Sequence, residues 1–265
     1  MVKREHSLLS RKIDIIFLIL SPIFASFTSI YFRTNFLTST ILFFGIPAIY
    51  LSLRNQNVVN KSIIFSLICG VIGSFIVDSY GILNQSWFVQ TSVFSFRIGG
   101  VPIEDLIWGS LLTYNIVLFY EHFIDKGKHN LKDTKFKYLI IILLLILIIF
   151  TLFYLLQSSI LVTKYAYLKL GIVVIFLPTI SFLSAFPRLV SKFLKTGVYF
   201  FIQGLMFELT GITLNYWGFK DGANRFIGWV SFGSLKFPLE EFIFWMILFS
   251  TCVLSYYEFF DDDRR

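Results

Sequence analysis

Eight apolar stretches follow one another along the chain, at 13–32, 36–53, 62–80, 102–121, 138–157, 168–186, 195–213 and 238–257. Each is close to the twenty or so residues that a helix needs to cross a bilayer. Lipid offers no water to open backbone groups, so runs of this kind are compatible with little except helices. The chain is 56% hydrophobic and 15% charged over 265 residues, too apolar for a soluble domain of this length. Its net charge of +7 therefore reads as loop Lys and Arg flanking membrane helices rather than a nucleic-acid footprint. Lys3, Arg4, Arg11 and Lys12 give the first run the flank of a signal peptide, but the run is long enough to span and is assigned as the first helix.

Orientation follows from the basic residues. With the N-terminus inside, sixteen of the 23 Lys and Arg lie on the cytoplasmic side and seven outside. The expectation is a multi-pass cell-membrane protein with both termini cytoplasmic. Cys69 and Cys252 fall within apolar segments and read as small hydrophobes.

The chain also repeats itself. Asp78-Ser79-Tyr80-Gly81 matches Glu208-Leu209-Thr210-Gly211, and Trp87 matches Trp217, both at an offset of 130. Pro102 and Glu104 match Pro238 and Glu240 at an offset of 136, and Tyr120, Phe123 and Asp125 match Tyr256, Phe259 and Asp261. The expected architecture is an all-α membrane protein of about eight transmembrane helices: two parallel four-helix repeats, 1–125 and 138–265, around a central cavity. A basic cytoplasmic linker, 126–137, joins them. An even helix count inserts both halves the same way, so equivalent residues fall at equal depth.

Within this pattern six acids stand out. Glu104-Asp105 and Glu240-Glu241 open apolar helices just after a proline, and Asp78 and Glu208 lie near the outer ends of the helices before them. One such pair is a good helix start, because the macrodipole favours acids there and proline suits the first turn. Two copies, each with a further acid one helix earlier, favour function, since an intramembrane carboxylate is expensive. Neighbours on a helix point about 100° apart, so one acid of each pair can face the cavity while the other holds a neighbouring helix or a backbone donor. Apolar surroundings and a nearby like charge favour the protonated carboxyl. A protonated acid beside an ionised one can add a proton in one place and remove one in another. Asp78, Glu104, Asp105, Glu208, Glu240 and Glu241 are the candidate catalytic residues.

The neighbourhood of these motifs is rich in aromatic residues, most of which suit interfacial belts and packing. A few ring faces could stabilise a carbocation. Trp87, Trp108, Trp217, Phe244 and Trp245 are the candidate substrate-binding residues. No G-x-G-x-x-G follows a strand and no P-loop occurs, so no nucleotide or flavin cofactor is expected. His6, His122 and His129 fall in the tail or the basic loop, away from the acids, so no metal site is expected. Asp261-Asp262-Asp263 reads as a solvated tail.

Pro-Leu-Glu-Glu-Phe at 238–242 and Gly-Gly-Val-Pro-Ile-Glu-Asp at 99–105, each preceded by acid-x-x-Gly and Trp, resemble the lycopene cyclase domain. This is the non-flavin, integral-membrane type, here as a fused tandem. The resemblance covers both halves, most strongly 75–125 and 205–260. It implies redox-neutral cyclisation of the ψ-ends of lycopene to β-rings, giving β-carotene through γ-carotene, with Glu104, Asp105, Glu240 and Glu241 as the motif acids. The implied partners are a carotenoid taken from the bilayer and the lipid membrane; neither nucleic acid nor an obligatory protein partner is implied. Nothing resembles a phytoene synthase portion. The first half carries Asp105 where the second has Glu241, so the halves need not be chemically equivalent. The alternatives are a cyclase or hydratase of a longer carotenoid or, from another class, a membrane transporter of a lipophilic substrate, which would need acids near mid-membrane and access from both sides.

Overall fold

The computed structural model describes residues 2–90, 92–126 and 136–258. Most of the linker, with His129, Phe259, Asp261 and the acidic tail, lies outside the described residues.

Eight helical segments carry the described chain. They are α1 (Val2–Phe32), α2 (Phe36–Arg54), α3 (Gln56–Leu83), α4 (103–125), α5 (Phe136–Leu156), α6 (Ala166–Ala185), α7 (187–213) and α8 (239–257). Five stretches are long and apolar enough to cross a membrane: Arg11–Phe32, α2, α3, Lys137–Leu156 and α6. This is a helical membrane protein. Ile141, Ile142, Leu145, Ile149 and Leu152 of α5 are exposed, as an apolar helix facing lipid requires. The core lies between α3, α4, α7 and α8, where Phe65, Ile116, Val117, Tyr120, Phe193, Leu254 and Tyr257 pack together. At Gly70 a Cβ would lie 2.8 Å from the Ser110 Cα, so glycine permits the close approach of α3 to α4.

An all-α reading omits three short antiparallel pairings in the loops. Phe88–Val89 pairs with Trp217–Gly218, Arg97–Ile98 with Val101–Pro102, and Trp229–Phe232 with Leu235–Pro238. The first ties the loop after α3 to the loop after α7.

Several backbone features come in pairs. α3 and α7 both open on a 3₁₀ turn, at Gln56–Val58 and Pro187–Leu189. They follow Asn55 (φ −141°, ψ 70°) and Phe186 (φ −128°, ψ 64°). α3 and α7 both end with a left-handed residue, Gln85 (φ 53°) and Asn215 (φ 56°). The Ser86 amide then donates to the Gly81 carbonyl at 2.8 Å and the Tyr216 amide to the Gly211 carbonyl at 2.9 Å.

Wide π-helical turns adjust the register. Ser66–Gly70 in α3 is π-helical whereas α7 is α-helical from Val190 to Thr213. A wider turn takes up one more residue. Accordingly the spacing is 131 between Lys61 and Lys192, before that turn, and 130 between Asp78 and Glu208, after it. α8 opens on a longer π-helical stretch, Glu241–Leu248.

The charged ends of the bundle meet away from the motif acids. Asp14 in α1 accepts from Arg54 Nε at 2.8 Å and Tyr50 Oη at 2.5 Å, with His122 Nε2 at 3.0 Å. Lys61 pairs with Glu121 at 2.5 Å, and Lys192 with Asp125 at 3.4 Å. Two buried hydrogen bonds cross between α4 and α8: Tyr120 Oη donates to Glu258 at 2.9 Å, and Tyr257 Oη to Glu121 at 2.5 Å. The reciprocity sets Tyr120-Glu121 against Tyr257-Glu258. Tyr120 and Tyr257 are 137 apart, one more than Glu104 and Glu240, and the π-helical opening of α8 lies between.

Candidate active site

Four of the six motif acids converge on one cavity. Asp78 from α3, Asp105 from α4, Glu208 from α7 and Glu241 from α8 line it together with Phe36, Trp87, Trp108, Tyr167, Phe207, Trp217 and Trp245. Val89, in the paired strands, and Phe219, just after them, also line it, and the space within it, counted out to its open mouth, is about 560 Å³.

Each acid has a distinct setting. Glu208 accepts from the Trp217 indole at 3.1 Å, and Asp78 interacts with the Trp87 indole. Both tryptophans are fixed by a glycine one turn after the acid. A Cβ on Gly81 would lie 2.1 Å from the Trp87 ring, and one on Gly211 would lie 2.2 Å from the Trp217 ring. Glu241 accepts from the Tyr167 hydroxyl. Asp105 Oδ2 and Asp78 Oδ2 are buried with no protein partner. Such oxygens carry a desolvation penalty unless they take a proton or a ligand, and among the cavity-lining acids these two are open to one.

Glu104 and Glu240 are placed differently. Glu104 is fully buried and accepts from the Val93 amide, the Phe94 amide at 2.9 Å and the Ser92 hydroxyl at 3.0 Å. Glu240, also fully buried, accepts from the Ile227 amide at 2.8 Å. In each pair the first acid anchors the preceding loop and the second lines the cavity, as the helical offset between neighbours dictates.

Among the candidate rings, Trp87, Trp108, Trp217 and Trp245 line the cavity. Phe244 packs beneath α6, where a Cβ on Gly171 would lie 2.1 Å from its ring. The π-helical opening of α8 shifts the register, so Trp245 is the residue that faces Trp108, with ring centroids 6.3 Å apart. Sequence reasoning missed Phe36, Tyr167 and Phe207. Phe36 packs edge-on to Trp217 at 5.5 Å, and Tyr167 against Trp87 at 5.0 Å. The spacing of Phe36 and Tyr167, 131, equals that of Lys61 and Lys192 and could have flagged them. Among the described residues no group of three or more His, Cys, Asp or Glu is placed to hold a metal ion.

Fold and cavity together define a class: a helical membrane protein that buries several carboxyls around an aromatic, apolar chamber. Residues 13–123 match the family model described as lycopene cyclase, a likeness that supports a role in carotenoid cyclisation. The matched stretch runs through α1 to α4 and contains Asp78, Glu104 and Asp105. No curated protein and no solved structure matches the chain.

Proposed function

We propose that the chain is a lycopene β-cyclase, a tandem of two four-helix halves that closes the ψ-ends of lycopene to β-rings inside the bilayer. The observation that carries this reading is the convergence of Asp78, Asp105, Glu208 and Glu241 in one apolar, tryptophan-lined cavity. The paired turns, the paired Gly–Trp contacts and the reciprocal Tyr–Glu bonds support the tandem. The gathering of the helix ends that bear Asp14, Arg54, Lys61, Glu121 and Lys192 on one side supports an arrangement of eight spans with both termini cytoplasmic.

The chemistry needs no change of oxidation state. A carboxylic acid of the cavity adds its proton to the terminal double bond, leaving a tertiary cation. The electron pair of the next double bond attacks that cation and closes a six-membered ring. A carboxylate then removes a ring proton, and the electrons of the broken C–H bond form the ring double bond. One proton enters, one leaves, and substrate and product are isomers. The tryptophan faces lower the energy of the cation without bonding to it. In this reading the cavity-lining acids exchange protons, while Glu104 and Glu240 hold the loops that keep water out. Expression in lycopene-accumulating cells followed by pigment analysis tests it. Conversion of red lycopene to the bicyclic product supports the reading, and unchanged lycopene refutes it.

A further inference from the structure

Two grooves adjoin the acid cavity: a roomier one, termed wide, and a smaller one, termed narrow, that Glu208 and Glu241 also line. One lies between α3, α4, α6 and α8, lined by Cys69, Gly73, Val77, Val174, Ile175 and Cys252 among others, with about 620 Å³ of empty space. It shares Asp78, Trp108 and Trp245 with the acid cavity, so the two adjoin at those side chains. The other lies between α2, α4, α7 and α8, with about 440 Å³ of empty space. Phe44 and Phe207 stand in it where the wide groove has Ile175 and Val77, at the same spacings of 131 and 130 that relate the halves. Those two rings pack edge-on at 4.8 Å and are bulkier than Ile175 and Val77.

We propose that the wide groove holds the polyene chain of the substrate, extended along α3 and α8, while one chain end sits among the acids. The inference rests on the cyclase reading and gives it a substrate path. The wide groove is lined almost wholly by apolar atoms, so it suits a hydrocarbon and offers nothing to a polar headgroup. Its one carboxyl, Asp78, is buried at the junction with the acid cavity, and its Oδ2 has no protein partner. A chain threaded along this groove therefore delivers its end double bond to an unsatisfied acid. Gly73 makes the path: a Cβ there meets nothing within 4 Å, so the position is open space and a larger residue fills the groove without displacing backbone.

The test uses the full chain, produced in lycopene-accumulating cells and purified in lipid nanodiscs, with bound polyene read by its visible absorbance. Gly73→Leu and Val77→Phe fill the wide groove. Gly204→Leu, whose Cβ would meet only the Met246 Cα at 4.0 Å, fills the narrow one. Thermal unfolding confirms that each variant is folded, and polyene content is compared among folded proteins. The expected result is a polyene content reduced about tenfold or more in the two wide-groove variants and unchanged in Gly204→Leu. Full polyene content in both wide-groove variants overturns the proposal, as does co-purified phospholipid in place of polyene in the wild type. Polyene held by the wild type but left acyclic sinks the cyclase reading and leaves the groove standing. Cyclised pigment from all the variants sinks the groove and leaves the cyclase.

Discussion

The Tyr167 hydroxyl donates to the Glu241 carboxylate, whereas the residue at the matching spacing in the first half, Phe36, brings no hydroxyl to Asp105. The two acid pairs of the cavity are therefore chemically unequal. Tyr167→Phe removes the hydroxyl and keeps the ring. A buried acceptor left without its donor loses roughly 1–3 kcal/mol. If Glu241 must be held in one orientation to exchange its proton, the expected result is a fall in turnover of about tenfold with a smaller change in apparent affinity. Initial-rate measurement on lycopene in nanodiscs checks this, and an unchanged rate removes Tyr167 from the machinery.

The two members of each motif pair should respond in opposite ways to loss of charge. Asp105→Asn and Glu241→Gln keep shape and remove a proton-exchange group from the cavity. Each is expected to lower cyclisation by about 100-fold or more, the usual contribution of a positioned acid or base. Glu104→Gln and Glu240→Gln keep an oxygen that accepts from the Phe94 and Ile227 amides. Those two are expected to retain most of the activity, and Glu104→Ala to lose roughly 1–3 kcal/mol of stability as the loop donors go unpaired. Pigment ratios in cells, with melting of the purified variants, separate the two classes. Loss of activity in Glu104→Gln with unchanged melting would place that acid in the chemistry instead.

How much of this was legible in the sequence depends on the physical signal each feature leaves. The apolar runs match the helices to within a few residues at most ends, because an uninterrupted hydrophobic stretch has few other structures open to it in lipid. The doubled motif carried the acids, because the same costly residues recur at one spacing. Which acid of each pair faces inward was not legible: the 100° offset says only that they differ. The π-helical turns left no pattern either, and each moves the register by one. That is why, of Phe244 and Trp245, both expected to bind substrate, Trp245 lines the cavity and Phe244 packs against α6. Tyr167 was hidden for another reason: a tyrosine near the end of an apolar run looks the same whether it marks the interface or meets a carboxylate across the bundle.

The Gly–Trp contacts under the cavity should be intolerant of a single methyl group. Gly81→Ala and Gly211→Ala would drive a Cβ into the Trp87 and Trp217 rings respectively. The rings must move, and with them the indoles that face Asp78 and Glu208. Overpacking of this kind typically destabilises by about 1–3 kcal/mol. Both variants are expected to melt lower than wild type and to lose cyclisation in parallel. Tryptophan fluorescence gives an independent check, since displaced indoles change their emission. Wild-type melting and emission would mean that the rings can relax without consequence.

The far end of the bundle offers a prediction that concerns folding alone. Lys61 and Glu121 form a buried ion pair at 2.5 Å, and Tyr257 adds its hydroxyl to the same carboxylate. Removing one partner of such a pair strands the other charge, which is destabilising by about 3–5 kcal/mol. Lys61→Met alone is therefore expected to lower the yield of folded protein sharply. Lys61→Met with Glu121→Gln removes both charges of the pair and keeps an oxygen for Tyr257, so it is expected to recover most of that loss. The double variant should also cyclise substrate at a near-normal rate per folded molecule, because these residues lie away from the acid cavity. Melting of the two single variants and the double variant forms a mutant cycle that measures the coupling directly. Strict additivity would show that the pair contributes nothing beyond its separate parts.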